Sequence, residues 1–229
     1  MRQVKTVRVG PFRIDRTEVT RAAYQRFLDS TGYRPPHVDE PWAEDGWSWT
    51  GGRFPDDTGD HPVVLTNWYD AAEFCAWRGA RLPTEAEWQL ASLGPDEGSR
   101  FPWGDDYAAD KLNHGKMEQP NFDDSDGYHA TAPVGAFPEG ASPYGLLDAF
   151  GNAWEWTADA RFEDWNHIDA RRDGSVLLDP RGLPPSLYVA VRGGSYFFDV
   201  AANPIGERHA FLPEIRRKTS GFRCAADPR

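Results

Sequence analysis

A chain of 229 residues with 36 Asp and Glu against 25 Lys and Arg carries a formal net charge of -11, which repels a phosphate backbone and argues against nucleic acid as a partner. No apolar run reaches the length of a membrane span, and Met1 to Arg8 lacks the hydrophobic stretch of a signal peptide, so a cytoplasmic protein without membrane contact is expected. Hydrophobic residues make up only 39%, while Trp, Phe and Tyr number 10, 13 and 8 and Gly and Pro 22 and 19, so burial must rest on aromatic rings and loops should outnumber regular elements.

Val4 to Asp15 alternates apolar and polar residues and predicts a strand interrupted at Pro11. Thr20 is a good N-cap for a helix towards Ser30, with Tyr24, Phe27 and Leu28 on one face and Gly32 in the C′ place. Residues 35–62 are rich in Pro, Gly, Trp and Asp and predict a long ordered loop with aromatic anchors. A second helix is expected from Asn67 to Arg78, ended by Gly79, and a third after Pro83, where Thr84 and Glu87 form a capping box. From Ser92 to Leu147 periodicity fades into turns and short strands. Asn152–Asp159, Tyr188–Arg192 and Gly221–Ala225 read as short strands. Arg216-Arg217-Lys218 is the one dense basic run and reads as a solvated loop. The pattern gives an α+β class and a single domain over residues 1–229, with no internal repeat.

Several motifs occur in an order that resembles one known family. They are Phe12-Arg-Ile-Asp-Arg-Thr-Glu-Val-Thr20, His61-Pro-Val-Val64, Arg81-Leu-Pro-Thr-Glu-Ala-Glu-Trp88, Phe101-Pro-Trp-Gly104, Thr131-Ala-Pro-Val134, Tyr144-Gly-Leu146, Gly151-Asn-Ala-Trp-Glu-Trp-Thr157, Val191-Arg-Gly-Gly-Ser-Tyr196 and Gly221-Phe-Arg-Cys-Ala-Ala-Asp227. Together they resemble the formylglycine-generating enzyme (sulfatase-modifying factor) family. The resemblance implies an elaborated C-type-lectin-like fold with little regular structure.

It also implies where chemistry would sit. The family oxidises a substrate cysteine at copper held by two thiolates shortly after the Gly-Gly-Ser run. Those places hold Phe198 and Asn203, and no cysteine lies between Ser195 and Gly221. Copper, which selects soft sulfur ligands, is therefore not expected. Trp156 and Ser195 would line the remaining groove with Phe198 and Asn203, and the groove would take a peptide, protein or small-molecule ligand. Cys75 and Cys224 match a structural disulfide of the eukaryotic enzyme, the other reading being two buried thiols that are merely close in space. Calcium is the expected ion. Asn113 and Asp126 would supply side-chain oxygens to a first site, with carbonyls of His114 and Tyr128. Asn152 and Glu155 would anchor a second, with carbonyls of Gly151 and Ala153.

Two function classes follow. The first is a calcium-pinned binding or accessory protein that has kept the fold and lost copper chemistry. The second is an atypical oxidoreductase with non-haem iron, acting on a peptide or amino-acid-derived substrate in a biosynthetic pathway. Its candidate residues would be Glu207, Arg208 and His209. The six His show no His-x3-His-x-Glu spacing, so iron would need a triad assembled from dispersed residues.

Overall fold

The computed structural model describes residues 6–43, 47–95, 99–115, 117–118, 121–160, 169–173, 176–181, 188–198 and 208–228. Among the described residues, three α-helices and short strands are joined by long irregular segments, an α+β arrangement as expected. Helix α1 (Arg21–Thr31) starts where Thr20 accepts a hydrogen bond from the Ala23 amide, and it stops at Gly32, whose φ of 69° few other residues adopt. Helix α2 (Trp68–Trp77) is capped reciprocally by Asn67 and Asp70, and α3 (Glu85–Leu93) by Thr84 and Glu87.

The expected N-terminal strand is broken in two. Strand β1 (Val7–Arg8) and β2 (Arg13–Ile14) join different sheets, because Gly10-Pro11 redirects the chain between them. The predicted Gly221–Ala225 strand is likewise split into β10 (Ser220–Gly221) and β11 (Ala225–Ala226). The predicted strands at 152–159 and 188–192 form as β5 (Trp154–Ala160) and β8 (Val189–Arg192). With β9 (His209–Phe211) they make a four-stranded sheet in the order β10-β5-β8-β9. Strands β6 (Asp169–Asp173) and β7 (Val176–Arg181), absent from the sequence reading, pair with each other and with β1. A small ladder joins β3 (Met117–Glu118) to β4 (Asn121–Phe122).

The main sheet separates two interiors, because successive residues of β5 point to opposite faces. Trp154 and Trp156 join Tyr24, Phe27, Phe74, Val191 and Phe222 in the larger core. Tyr24 stacks on Phe74 with ring centroids 5.5 Å apart and meets Trp49 and Phe222 edge-on. Glu155 points the other way, towards Trp88 of the second core, which also holds Phe101, Leu112 and Phe150. Cys75 and Cys224 are joined by a disulfide within the larger core, their Cα atoms 5.6 Å apart. The basic run is a loop with Arg217 exposed, as expected, but its side chains are engaged with the protein. Arg216 pairs with buried Asp70 at 2.5 Å and donates to the Leu65 carbonyl, while Arg217 lies over the Phe211 ring and Lys218 over Trp47 and Phe197.

Candidate functional site

The polar centre of the molecule lies where β5, the Thr17–Thr20 segment and the Phe222–Cys224 segment converge. Arg223 is fully buried; its Nε and Nη2 each reach a Glu155 oxygen at 2.6 Å. Its remaining donors reach the carbonyls of Asp15, Arg16 and Leu147. Glu155 also accepts the Trp88 indole N–H at 2.8 Å. Beside it, Glu18 accepts from the Asn152 side-chain amide at 2.7 Å and from the Ala153 backbone at 3.1 Å. Burial, reinforced by Asp148 and Glu155, raises the Glu18 carboxyl well above the ordinary range.

This network changes the expectation for the second calcium site. Glu155 is committed to Arg223 and Trp88, and Asn152 spends its amide oxygen on the Ala132 N–H and its NH2 group on Glu18. The oxygens of the two side chains expected to anchor calcium therefore already accept from protein donors, and a cation there would have to compete with Arg223 and Trp88. Asn152 holds φ at 52°, a left-handed value that Asn adopts more readily than most residues. Gly151 must be glycine, because a Cβ there would collide with the Asn113 carbonyl oxygen that accepts from Asn152 N–H at 3.0 Å.

Asp148 titrates with this centre. Burial pushes its carboxyl up to about 6, partly opposed by its bond from the Gly135 N–H. A carboxyl whose folded pKa is raised binds a proton more readily in the folded chain, so it favours folding below about pH 4 and loses that contribution as pH rises through about 6. Asp148→Asn keeps an oxygen for Gly135 and removes the charge. In chelator-containing buffer it is expected to stabilise the protein at pH 7.5 by on the order of 2 kcal/mol. Urea unfolding should show that gap closing near pH 4.

In the first set Asn113 and Asp126 are adjacent, but His114 and Tyr128 turn their N–H groups to Asp126 where carbonyls were expected at the ion. Asp126 accepts from Asn113 Nδ2 at 2.9 Å, from the His114 N–H at 2.8 Å and from the Tyr128 N–H at 2.9 Å. Asn113 Oδ1 is buried and has no hydrogen-bond partner. An orphaned amide oxygen beside a carboxylate is the kind of oxygen-rich, irregular corner that calcium satisfies. Among the described residues no three His, Cys, Asp or Glu side chains converge as a metal cluster, so an ion here would rest mainly on amide and carbonyl oxygens.

Around the Gly-Gly-Ser run the structure corrects the groove. Trp156 is 0% exposed and donates its indole N–H to the Thr66 carbonyl, and Ser195 is 1% exposed. Trp156 belongs to the larger aromatic core, and Ser195 is buried just beyond the end of β8. Phe198 packs edge-on against Trp154 at 5.4 Å and His209 at 5.2 Å, and His209 also lies 4.7 Å from Trp154. The Phe198 ring thus belongs to an aromatic stack. Arg208 is bound at 2.6 Å to each oxygen of Glu85, which also accepts from buried Arg192 at 3.0 Å. Its guanidinium is a structural clasp rather than a free catalytic group. Asn203 and Glu207 lie outside the described residues.

Sequence reasoning missed Glu18, Asp148, Arg192 and Arg223. The signal for Arg223 was an Arg set between Phe222 and Cys224 in an apolar run, which demands an internal anion.

Comparison with known proteins places this geometry among relatives. Residues 2–228 match the model of the sulfatase-modifying factor enzyme 1-like domain. The formylglycine-generating enzyme of Thermomonospora curvata is 34% identical over 98% of this chain and 85% of its own. An inactive C-alpha-formylglycine-generating enzyme 2 from Bos taurus is 46% identical over 73% of this chain and 50% of its own. The solved structure of PvdO from Pseudomonas aeruginosa superposes with a TM-score of 0.72 at 27% identity, covering 95% of this chain and 81% of that one.

Proposed function

We propose that this chain, which belongs to the sulfatase-modifying factor enzyme 1-like domain family, is a calcium-pinned binding or accessory protein without copper–thiolate chemistry. The observation that carries this reading is the cysteine inventory. The chain has two cysteines, and both are spent on the Cys75–Cys224 bridge. No thiolate remains to hold copper, and Phe198 stands as an aromatic packing residue where the family resemblance would put one of them.

The ligand of such a protein is a peptide, a protein or a small molecule. It would meet the partly exposed Phe198 and His209 rings rather than Trp156 or Ser195, which are buried. Calcium would be held at Asn113 and Asp126, where it neutralises the carboxylate and ties residues 113–114 to residues 126–128.

Elemental analysis of protein purified without chelator or tag-derived metal tests the reading. Near-stoichiometric calcium with no iron or copper is the expected result. Calcium should raise the melting temperature of the wild type by several degrees, as ligand linkage requires. Asp126→Ala should abolish that rise, with its calcium-free melting point as the reference. Stoichiometric iron or copper would overturn the proposal in favour of the alternative, a metal-dependent oxidoreductase acting on a peptide or amino-acid-derived substrate.

A further inference from the structure

A separate cleft of about 700 Å³ opens between the Val9–Ile14 segment, α3 and the Tyr144–Leu146 turn. That volume falls in the range of small-molecule sites. Its walls are apolar: Val9, Phe12, Ile14, Leu90 and Leu146 contribute side chains. None of the residues lining it is Asp or Glu, although the chain as a whole carries a net charge of -11.

The one charged group in the lining is Arg16. Its Nε donates to the Gly145 carbonyl at 3.2 Å, which fixes the plane of the guanidinium against the turn. Among the described residues no carboxylate pairs with it, in contrast to Arg34, Arg78, Arg81, Arg192, Arg208, Arg216 and Arg223, all of which have one. The two terminal nitrogens of a guanidinium present parallel donors that match a carboxylate. Tyr144, 60% exposed, stands at the same cleft as a large uncovered ring.

We propose that this cleft binds a small amphiphilic carboxylate, with the acid on Arg16 and an acyl or aryl body along Phe12, Ile14 and Leu90. Charge complementarity selects the anion, since the site offers one unpaired cation on an otherwise acidic protein. A single guanidinium suits a monoanion. The apolar walls supply most of the binding free energy, and Arg16 supplies orientation and selectivity. The cleft shares no residue with the Asn113–Asp126 corner or with the Phe198–His209 face, so this inference stands whether or not calcium binds.

The test is calorimetric titration of the intact protein with decanoate and, in parallel, with decanol, both below their aggregation limits and with chelator present. Saturable one-to-one binding of decanoate at least about tenfold tighter than decanol is expected. Arg16→Gln should reduce decanoate to the level of decanol and leave decanol unchanged; the backbone carbonyl of Arg16, which accepts from Leu147 and Arg223, survives that change. Leu90→Trp, on the partly exposed side of α3, should block both ligands by filling the cleft while leaving the near-ultraviolet dichroism native. Absence of saturable decanoate binding at millimolar concentration overturns the proposal. So does equal affinity for the two ligands, or unchanged binding in the Leu90→Trp protein.

Discussion

Arg223→Met is expected to lower folding stability by about 3–5 kcal/mol, the range for removing one partner of a buried ion pair. The loss has a definite origin. Arg223 is the cation that faces Glu155, and all three of its nitrogens are hydrogen-bonded: Nε and Nη2 to Glu155, Nη2 also to the Leu147 carbonyl, and Nη1 to the carbonyls of Asp15 and Arg16. Met would leave Glu155 buried with only the Trp88 indole as a donor. Glu18 and Asp148 stand close enough to act on Glu155 electrostatically, and all three carboxyls would then share a dry interior without a countercharge.

Arg223→Lys should recover little of this, because a point charge cannot replace a planar fork that bridges two carboxylate oxygens and three carbonyls. Urea unfolding measures the effect. Arg78→Gln provides the contrast, since its pair with Asp15 is 39% and 26% exposed and should be worth under about 1 kcal/mol. Equal losses at the two positions would refute the assignment of Arg223 as the internal anchor.

Loss of the Cys75–Cys224 bridge should be of similar size. The bridged residues are 149 apart in sequence, and the chain-entropy model gives about 5 kcal/mol for a closure of that length. For a domain of this size that corresponds to a fall in melting temperature of roughly 10–20 °C. Both cysteines are buried, so a Cys75→Ala/Cys224→Ala protein is a cleaner comparison than a reductant, which would need the chain to open first. A fall under about 3 °C would show that β11, Arg223 and the Phe222 packing hold this segment without help. If the protein works in a reducing compartment, the reduced form is the relevant one and should show the same deficit.

Helix ends were legible in the sequence because their signals are local. Thr20, Asn67 and Thr84 with Glu87 each act within one turn and open the three helices, and Gly32 and Gly79 follow the first two; the end of α3 at Leu93 was not read from the sequence. The strands near 154 and 189 were legible as short apolar runs, and the cysteine pair only through the family resemblance. Strands β6 and β7 were not legible. Asp169-Ala-Arg-Arg-Asp173 carries no alternating apolar pattern, and Pro180 lies inside the second strand, so they are defined by pairing with each other and with β1, which lies far away in sequence.

The candidate site divides the same way. Asn113 and Asp126 do come together. Glu155 is met by an arginine where calcium was expected, since a carboxylate in sequence shows its demand for positive charge and not its source. The source, Arg223, is 68 residues away.

Residues 220–227 are stitched to distant parts of the chain at every step. Ser220 and Gly221 lie along Trp154 and Glu155, Ala225 and Ala226 along Ile14 and Arg13, Ala225 also exchanges bonds with Arg81, and Cys224 is joined to Cys75. On the ribosome these residues are made after every one of those partners, at roughly 5–20 residues per second. Until they emerge, Tyr24, Phe27, Phe74 and Trp156 cannot complete their packing around Phe222, and Glu155 has no cation to face. The nascent chain must therefore carry an open aromatic interior from the time Phe74 is made until Phe222 follows. Its yield in the cell should depend on chaperones that shelter that surface more than on the stability of the finished fold.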